Sequence, residues 1–385
     1  MTTAQPAPSP VARPFDLREP IGVGVIGAGG ISHSHLLAYR GRANRDRARV
    51  IAIADISEVA ARKQAETYDI EHVFTDWREM LNRPDVQAVS ICTPPFLHVE
   101  QSVGALSAGK HVICEKPVAP TLAGIDAIAE AQRASGTVFE GVFQHRVGQG
   151  ARQVKALLDA GRFGRLRFGL SETLWQRSQE YYDVWWRGTW AQECGGVTMG
   201  HGIHSIDMLL WFMGEPESVI AEAVTAKLDI KVEDTSLATV RFRNGAVGQI
   251  IVTVNAHDNR SRLEIFGDDL QAVSSESPYD PTREPFLLRS LDVPVAEAAA
   301  REATELYPET PKHLHVPMIA DFIDAIDGAP PLVGIDECRR SMELITGMYK
   351  SAMTGQRVTF PIAGDDPWYS QIPADGFDVV PSQGL

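Results

Sequence analysis

The sequence predicts an α/β protein of two domains: an N-terminal, doubly wound parallel sheet and a C-terminal α+β domain on an open, mostly antiparallel sheet. Three observations predict it. Residues 21–114 alternate short apolar runs with helical stretches, the rhythm of βαβ units. A glycine cluster stands where the first apolar run passes into the first helix. After about residue 146 the runs lengthen and alternate in polarity, and Asn244-Gly245 joins two of them with a two-residue hairpin signal. A length of 385 residues fits two cores of ordinary size.

The first strand is expected at Ile21 to Ile26, apolar on both faces as a central parallel strand requires. A helix through His35, Leu36, Leu37 and Tyr39 follows, then a strand from Val50 to Ala54 that ends on Asp55. An Ala-rich helix to Tyr68, a strand at Val73-Phe74 and a helix from Trp77 to Leu81 come next. Val86 to Cys92 is a further buried strand closed by Thr93-Pro94-Pro95, and a helix of small residues (Val103 to Gly109) leads to the strand His111 to Cys114. Beyond it, strands are expected at Leu166 to Leu174, Leu237 to Phe242 and Val247 to Val254. Ile319, Phe322, Ile323 and Ile326 share one helical face. Asp336 is the expected N-cap of a last helix carrying Met342, Ile345 and Tyr349. The Pro-, Glu- and Ala-rich stretch from Ser274 to Pro311 reads as long loops. The resulting organisation is a flexible tail over residues 1–20, a first domain over 21–146 and a second over 147–385, with the last helix, about 336–354, packing back on the first domain.

Lys and Arg total 36 against 50 Asp and Glu, a net charge of −14 that repels phosphate backbones and anionic membranes. The basic run Arg40 to Arg47 reads as a solvated helix end, so neither nucleic acid nor membrane is an expected partner. Residues 1–20 hold neither the apolar block of a secretory signal nor the adjacent arginines of a twin-arginine signal, and no long apolar span follows. Cys92, Cys114, Cys194 and Cys338 are scattered without paired or finger spacing, which suits a reduced cytoplasm and gives no reason to expect a metal.

Gly27-Ala28-Gly29-Gly30-Ile31-Ser32 carries the physics of a dinucleotide fingerprint. The first glycine permits a tight turn, the second lets backbone approach a pyrophosphate, and the helix start presents free N–H groups to the charge. Ser32 takes the third small-residue slot. Asp55 follows 28 residues after Gly27, a spacing stretched by the basic loop from Gly41 to Ala48. A carboxylate there accepts from both ribose hydroxyls and repels a 2′-phosphate, so NAD is expected over NADP.

Ser90-Ile91-Cys92-Thr93-Pro94-Pro95-Phe96-Leu97-His98, followed by Gly109-Lys110-His111-Val112-Ile113-Cys114-Glu115-Lys116-Pro117, resembles the paired signature of the Gfo/Idh/MocA family. That family is named for glucose–fructose oxidoreductase, inositol dehydrogenase and a rhizopine-catabolism protein. The likeness continues through Gly195-Gly196 to His204 and Asp207, through Val232 to Thr235, Asn244 to Val247 and Ser351 to Pro361. It implies a Rossmann domain with Thr93, Pro94, His98, Glu115 and Lys116 around the cofactor, and a second domain whose sheet covers the nicotinamide. It also implies that Lys116 hydrogen-bonds the reacting hydroxyl and that His204 takes a proton, both chemically suited to hydride transfer. Asp207, one helical turn on, is placed to orient His204. Where the family carries an Asp four residues before this histidine, the chain has Gly200, and His201 is a candidate to fill part of that space. His145 and Arg146, beside Gln144, stand where the resemblance puts substrate contacts. Tyr181, Tyr182, Trp185, Trp186, Arg187 and Trp190 form an aromatic cluster suited to sugar C–H faces, with Arg187 for hydroxyls or a carboxylate. His313 and His315 read as helix-entry residues.

The expected function is hydride transfer between nicotinamide and a secondary alcohol or ketone of a cyclic sugar, glycoside or polyol, by a homodimer or homotetramer. The alternatives are an NAD-dependent redox glycosidase or lyase, and a non-catalytic NAD-binding regulator.

Overall fold

The computed structural model describes residues 19–372. The tail expected over 1–20 falls, apart from Glu19 and Pro20, outside the described residues. Strands β1 (Ile21–Ile26), β2 (Ala48–Ala54), β3 (His72–Phe74), β4 (Ala88–Ile91), β5 (His111–Cys114) and β6 (Phe139–Gly141) form one sheet in the order β3-β2-β1-β4-β5-β6. All pairings in it are parallel. The order reverses between β1 and β4, which opens a crevice at their carboxyl ends, the point where doubly wound sheets bind ligands. The largely apolar runs at β1 and β4 are buried, as strands covered by helices on both faces must be.

The second sheet holds β7 (Leu166–Gln176), β8 (Pro216–Val224), β9 (Thr235–Phe242), β10 (Val247–Thr253), β11 (Asn255–Gly267), β12 (Gln271–Val273), β13 (Leu287–Arg289) and β14 (Val358–Thr359). Its order is β13-β12-β11-β7-β10-β9-β8-β14, and β7–β10 is its one parallel pair. Asn244-Gly245 turns β9 into β10, with Gly245 at φ 87°, where a side chain at Cβ is strained. Burial alternates along β9 and β10, so one face is core and the other is open.

The helix Ile203–Met213 lies under the core face, and all its residues except Trp211 are buried. Gly169 on β7 permits that approach, since a Cβ there would stand 2.7 Å from Leu209. The helix Ile335–Thr354 packs against both β8 and the helix Leu122–Ser135 of the parallel-sheet region.

Two expectations are corrected. The stretch from Ser274 to Pro311 is not all loop: it contains β13 and a helix, Val293–Leu306. Pro294 stands in the first turn of that helix, where proline costs no hydrogen bond and its fixed φ suits the start. The helix Ile335–Thr354 has Gly334 rather than Asp336 at its N-cap position, and Asp336 lies inside the first turn, where its charge complements the helix dipole without capping.

Candidate active site

The crevice begins at the glycine turn. Gly27 has φ +100°, and a Cβ on it would stand 2.7 Å from the Cys92 carbonyl oxygen, so only glycine joins β1 to the helix Gly30–Arg40. Gly29 and Gly30 meet nothing within 4 Å of their would-be Cβ atoms and line a large cavity instead. The N-cap Gly29 has no side chain to satisfy the first-turn N–H groups, which leaves them for an anion. Ser32 is buried and its hydroxyl donates to Gly29 O at 2.6 Å, fixing the turn from below. Asp55 accepts from Ala28 N–H at 2.7 Å through Oδ2 and from Ser57 N–H at 2.8 Å through Oδ1. The carboxylate is thus oriented at the carboxyl end of β2, and each oxygen retains a lone pair towards the cavity. These features fit a bound dinucleotide: a bare glycine cradle, an open helix N-terminus and an aimed carboxylate.

The cavity encloses about 990 Å³ and runs from this turn past Thr93, Pro94, Glu115 and Lys116 to a second wall from the other sheet's region. Trp175, Arg177, Tyr181, Trp186, Arg187, Glu193, His201, His204 and Tyr279 form that wall. Lys116 and His204, 88 positions apart in sequence, both face this space.

Lys116 Nζ donates to Gly200 O at 3.0 Å across the crevice. Desolvation pulls its pKa below the usual lysine range; Glu115 opposes this, Arg187 adds to it, and Glu193 opposes it again. Glu115 is buried behind it. Burial pushes that carboxyl up, but the imidazoles of His315 and His35 beside it outweigh the burial and hold it well below the usual carboxylate range. His35 Nε2 lies 3.1 Å and His315 Nε2 3.7 Å from Glu115 Oε1. Sequence spacing gave no hint that these three would meet: 35, 115 and 315 come from three separate elements.

Thr198–Gly202 forms a π-turn directly before the helix Ile203–Met213, and this wide turn presents His201 and His204 together on the cavity wall. His204 stacks on His145, with ring centroids 4.7 Å apart and planes at 29°. Burial first, then the charge of Lys116, holds its pKa well below the ordinary histidine value, so the ring is neutral at physiological pH. Its Nδ1 has no hydrogen-bond partner among the described residues. His145 is likewise pushed down, to about 4, by burial, and its Nε2 stands 2.9 Å from the Tyr279 carbonyl oxygen. His201 Nε2 lies 3.3 Å from the Tyr181 hydroxyl.

Three expected site residues stand elsewhere. His98 is fully buried outside the cavity lining, with Nδ1 2.7 Å from Pro117 O and Nε2 2.7 Å from Thr93 O. It ties the Thr93-Pro94-Pro95 turn to the Lys116-Pro117 segment and so shapes the crevice from behind. Asp207 does not orient His204. It forms a bidentate, buried pair with Arg146, at 2.8 Å from Nε and 2.7 Å from Nη2, and accepts from Ser341 Oγ at 2.8 Å. Arg146 is therefore spent on Asp207 and makes no wall of the cavity. The physical reason is burial: a carboxylate on a helix enclosed on every side requires a cation. The aromatic cluster also divides. Tyr181, Trp185, Trp186 and Arg187 line the cavity, whereas Tyr182 is core and Trp190 packs on Tyr349.

Sequence reasoning missed Trp175, Arg177, Tyr279 and Glu193. Trp175 lies near the end of β7, where the alternation pattern would have marked it as inward, and Arg177 follows that strand directly, but Tyr279 and Glu193 sit in irregular segments with no periodic signal.

A parallel doubly wound sheet with a bare glycine cradle, facing a second sheet across a crevice holding an ammonium and neutral imidazoles, defines a dinucleotide-dependent oxidoreductase. Family models agree along most of the length: residues 21–142 match the oxidoreductase family with an NAD-binding Rossmann fold, and residues 151–273 match the GFO/IDH/MocA C-terminal domain. The chain belongs to the Gfo/Idh/MocA family of NAD-dependent oxidoreductases. Among similar proteins are the myo-inositol 2-dehydrogenase of Thermotoga maritima, 30% identical over 253 residues (64% of this chain, 72% of the relative), and the levoglucosan dehydrogenase of Pseudarthrobacter phenanthrenivorans, 29% identical over 281 residues (65% and 72%). The WlbA dehydrogenase from Bordetella pertussis, solved with NADH and UDP-GlcNAcA, superposes with a TM-score of 0.78 at 28% identity, covering 90% of this chain and all of that one.

Proposed function

We propose that the protein transfers hydride between NAD and a secondary alcohol or ketone of a cyclic sugar, glycoside or polyol. The observation that carries this reading is the shared cavity: the glycine turn and Asp55 at one end, Lys116 and His204 at the other. When bound, nicotinamide supplies the hydride acceptor, and the protein supplies binding, orientation and charge. Gly29, Gly30 and the open helix start hold the pyrophosphate. Asp55 accepts from the ribose hydroxyls, and Thr93, Pro94 and Glu115 wall the ring's approach. Lys116 hydrogen-bonds the reacting hydroxyl and lowers its pKa by charge. His204, a neutral imidazole on the cavity wall, is placed to take a proton. His145, His201 and Arg187 contact the substrate, with the faces of Tyr181 and Trp186 against its C–H surfaces. The relatives named for inositol and levoglucosan dehydrogenation support the substrate class.

The test is a panel of inositols, free sugars, glycosides and keto-sugars with NAD or NADH, followed at the nicotinamide absorbance band. At least one cyclic secondary alcohol is expected to reduce NAD; a panel inert in both directions, with NADH bound, contradicts the reading. Glycoside cleavage without net NADH marks the retained-cofactor lyase instead.

Asp55→Asn is expected to reduce the preference for NADH over NADPH about tenfold, because removal of the carboxylate charge removes its repulsion of a 2′-phosphate. Fluorescence titration with both dinucleotides measures it, and an unchanged ratio removes Asp55 from cofactor selection.

The open face of the second sheet exposes Phe168, Ile220, Leu237 and Val247, an apolar surface on which we place the contact of a homodimer or homotetramer. No helix among the described residues is long and apolar enough to cross a membrane, and all four cysteines are free and buried, which suits a cytoplasmic setting. Light scattering coupled to size exclusion should give a dimer or tetramer mass, and a polar substitution at Leu237 should shift it towards monomer.

A further inference from the structure

Two guanidiniums stand on the cavity wall that comes from the second sheet's region, and they differ in their partners. Arg187 has a carboxylate, that of Glu193, 3.2 Å from its Nη1. Arg177 pairs with no carboxylate among the described residues. Its Nη1 donates to Gln176 O at 2.7 Å and to Asn259 Oδ1 at 3.2 Å, and its Nη2 to Tyr279 Oη at 3.4 Å. These acceptors are neutral, so they fix the guanidinium without discharging it, and its Nε donates to no described residue. Arg177 Cζ also lies 4.8 Å from the centre of the Trp175 ring, 5.2 Å from that of Tyr181 and 5.9 Å from that of Tyr279, three rings that line the cavity themselves. A cation stacked on aromatic faces and tied at one end has lost much of its rotamer freedom already, so ordering it around a ligand costs little. In a chain of net charge −14, an uncompensated cation facing an internal cavity does not reflect a generally basic surface. Its place on the wall matters as much as its charge. The Trp175 and His201 ring centroids are 5.1 Å apart, and Tyr181 Oη lies 3.3 Å from His201 Nε2. His201 follows Gly200, whose carbonyl receives the Lys116 ammonium. One layer of side chains therefore separates Arg177 from the reacting end.

We propose that Arg177 binds a carboxylate on the substrate, so that the cyclic sugar or polyol handled here is an acidic one, of the hexuronate type. This rests on reading the cavity as a hydride-transfer site. A guanidinium fork offers parallel N–H donors to the two oxygens of a carboxylate. Among aromatic rings that attraction is screened less than in open water. A neutral sugar would leave the cation without a counter-charge, and one unpaired fork matches the single charge of a carboxylate better than the double charge of a phosphate monoester. With its carboxylate on Arg177, the sugar ring lies along Tyr181 and His201, and a secondary hydroxyl is carried towards Lys116 and His204. Arg177 thereby selects and positions the substrate without touching the reacting atoms.

The test uses the full-length protein with NADH bound and compares wild type, Arg177→Met and Arg177→Lys. Isothermal titration calorimetry measures Kd for glucuronate and galacturonate against their neutral parents, glucose and galactose, and against glucose 6-phosphate. Wild type should bind at least one hexuronate about 10- to 100-fold more tightly than its parent sugar. Arg177→Met should bring that ratio close to one. Arg177→Lys, which keeps the charge but not the fork, should recover only part of it. NADH titration and melting temperature establish that both variants are folded with the cofactor site intact. Three results overturn the proposal: no preference for either hexuronate in wild type, a preference that survives in Arg177→Met, or tighter binding of the phosphate. Calorimetry needs no turnover, so the two readings fail separately. Hexuronates bound through Arg177 but never oxidised with NAD contradict hydride transfer alone, whereas neutral sugars oxidised without any hexuronate preference contradict this assignment alone.

Discussion

Lys116→Ala is expected to lower kcat about 10³-fold while NADH still binds, measured by fluorescence titration and by steady-state oxidation of whichever cyclic alcohol proves active. The expectation follows from where the ammonium sits. It projects from the carboxyl end of β5 across the crevice to Gly200 O, between the glycine turn and the histidine wall. An alcohol being oxidised becomes more acidic on oxygen as hydride leaves, so a fixed cation beside that oxygen stabilises the transition state more than the ground state. Binding of the dinucleotide depends instead on Gly29, Gly30 and Asp55, which the substitution leaves intact. Lys116→Arg should rescue little, because a planar guanidinium keeps the charge but not the point-like donor. Full turnover in Lys116→Ala would remove this residue from the chemistry.

Asp207→Ala is expected to cost about 3–5 kcal/mol of stability, a fall in melting temperature of roughly 10 °C, because it leaves the Arg146 guanidinium buried and unpaired. The pair is enclosed: the side chains are 3% and 1% exposed, so water does not repair the loss. Replacing both members with apolar residues of similar volume should recover most of that stability. Thermal unfolding followed by circular dichroism measures both variants. At a temperature where Asp207→Ala remains folded, its kcat should stay close to wild type, since Asp207 makes no contact with His204. The reverse pattern, intact stability with lost turnover, would return Asp207 to the orienting role that sequence spacing suggested.

That reversal illustrates what the chain discloses in one dimension. The parallel sheet was legible because each of its central strands is a continuous apolar run bounded by turn residues, and the glycine cradle because positive φ and close backbone approach admit only one residue type. The hairpin at Asn244-Gly245 was legible for the same reason. Burial of charge was not. His204 and Asp207 share a helical face by spacing, but which partner a buried carboxylate finds depends on Arg146, which arrives from a different segment. His98 looked like a cofactor contact because of its motif, and its two nitrogens instead face two backbone carbonyls. Glu193 and Tyr279 reach the cavity from irregular stretches, where no periodicity marks an inward direction. The His35, Glu115 and His315 cluster needed three elements to fold together before it existed.

The central claim is that one cavity holds both the dinucleotide and the alcohol, with Lys116 and His204 at the reacting end. A crystal structure of the protein with NADH tests it most directly. The pyrophosphate should lie on Gly29 and Gly30, the adenosine ribose on Asp55, and C4 of the nicotinamide should face the space between Lys116 Nζ and the His204 ring. NADH bound elsewhere, or a nicotinamide turned away from both side chains, would contradict the account.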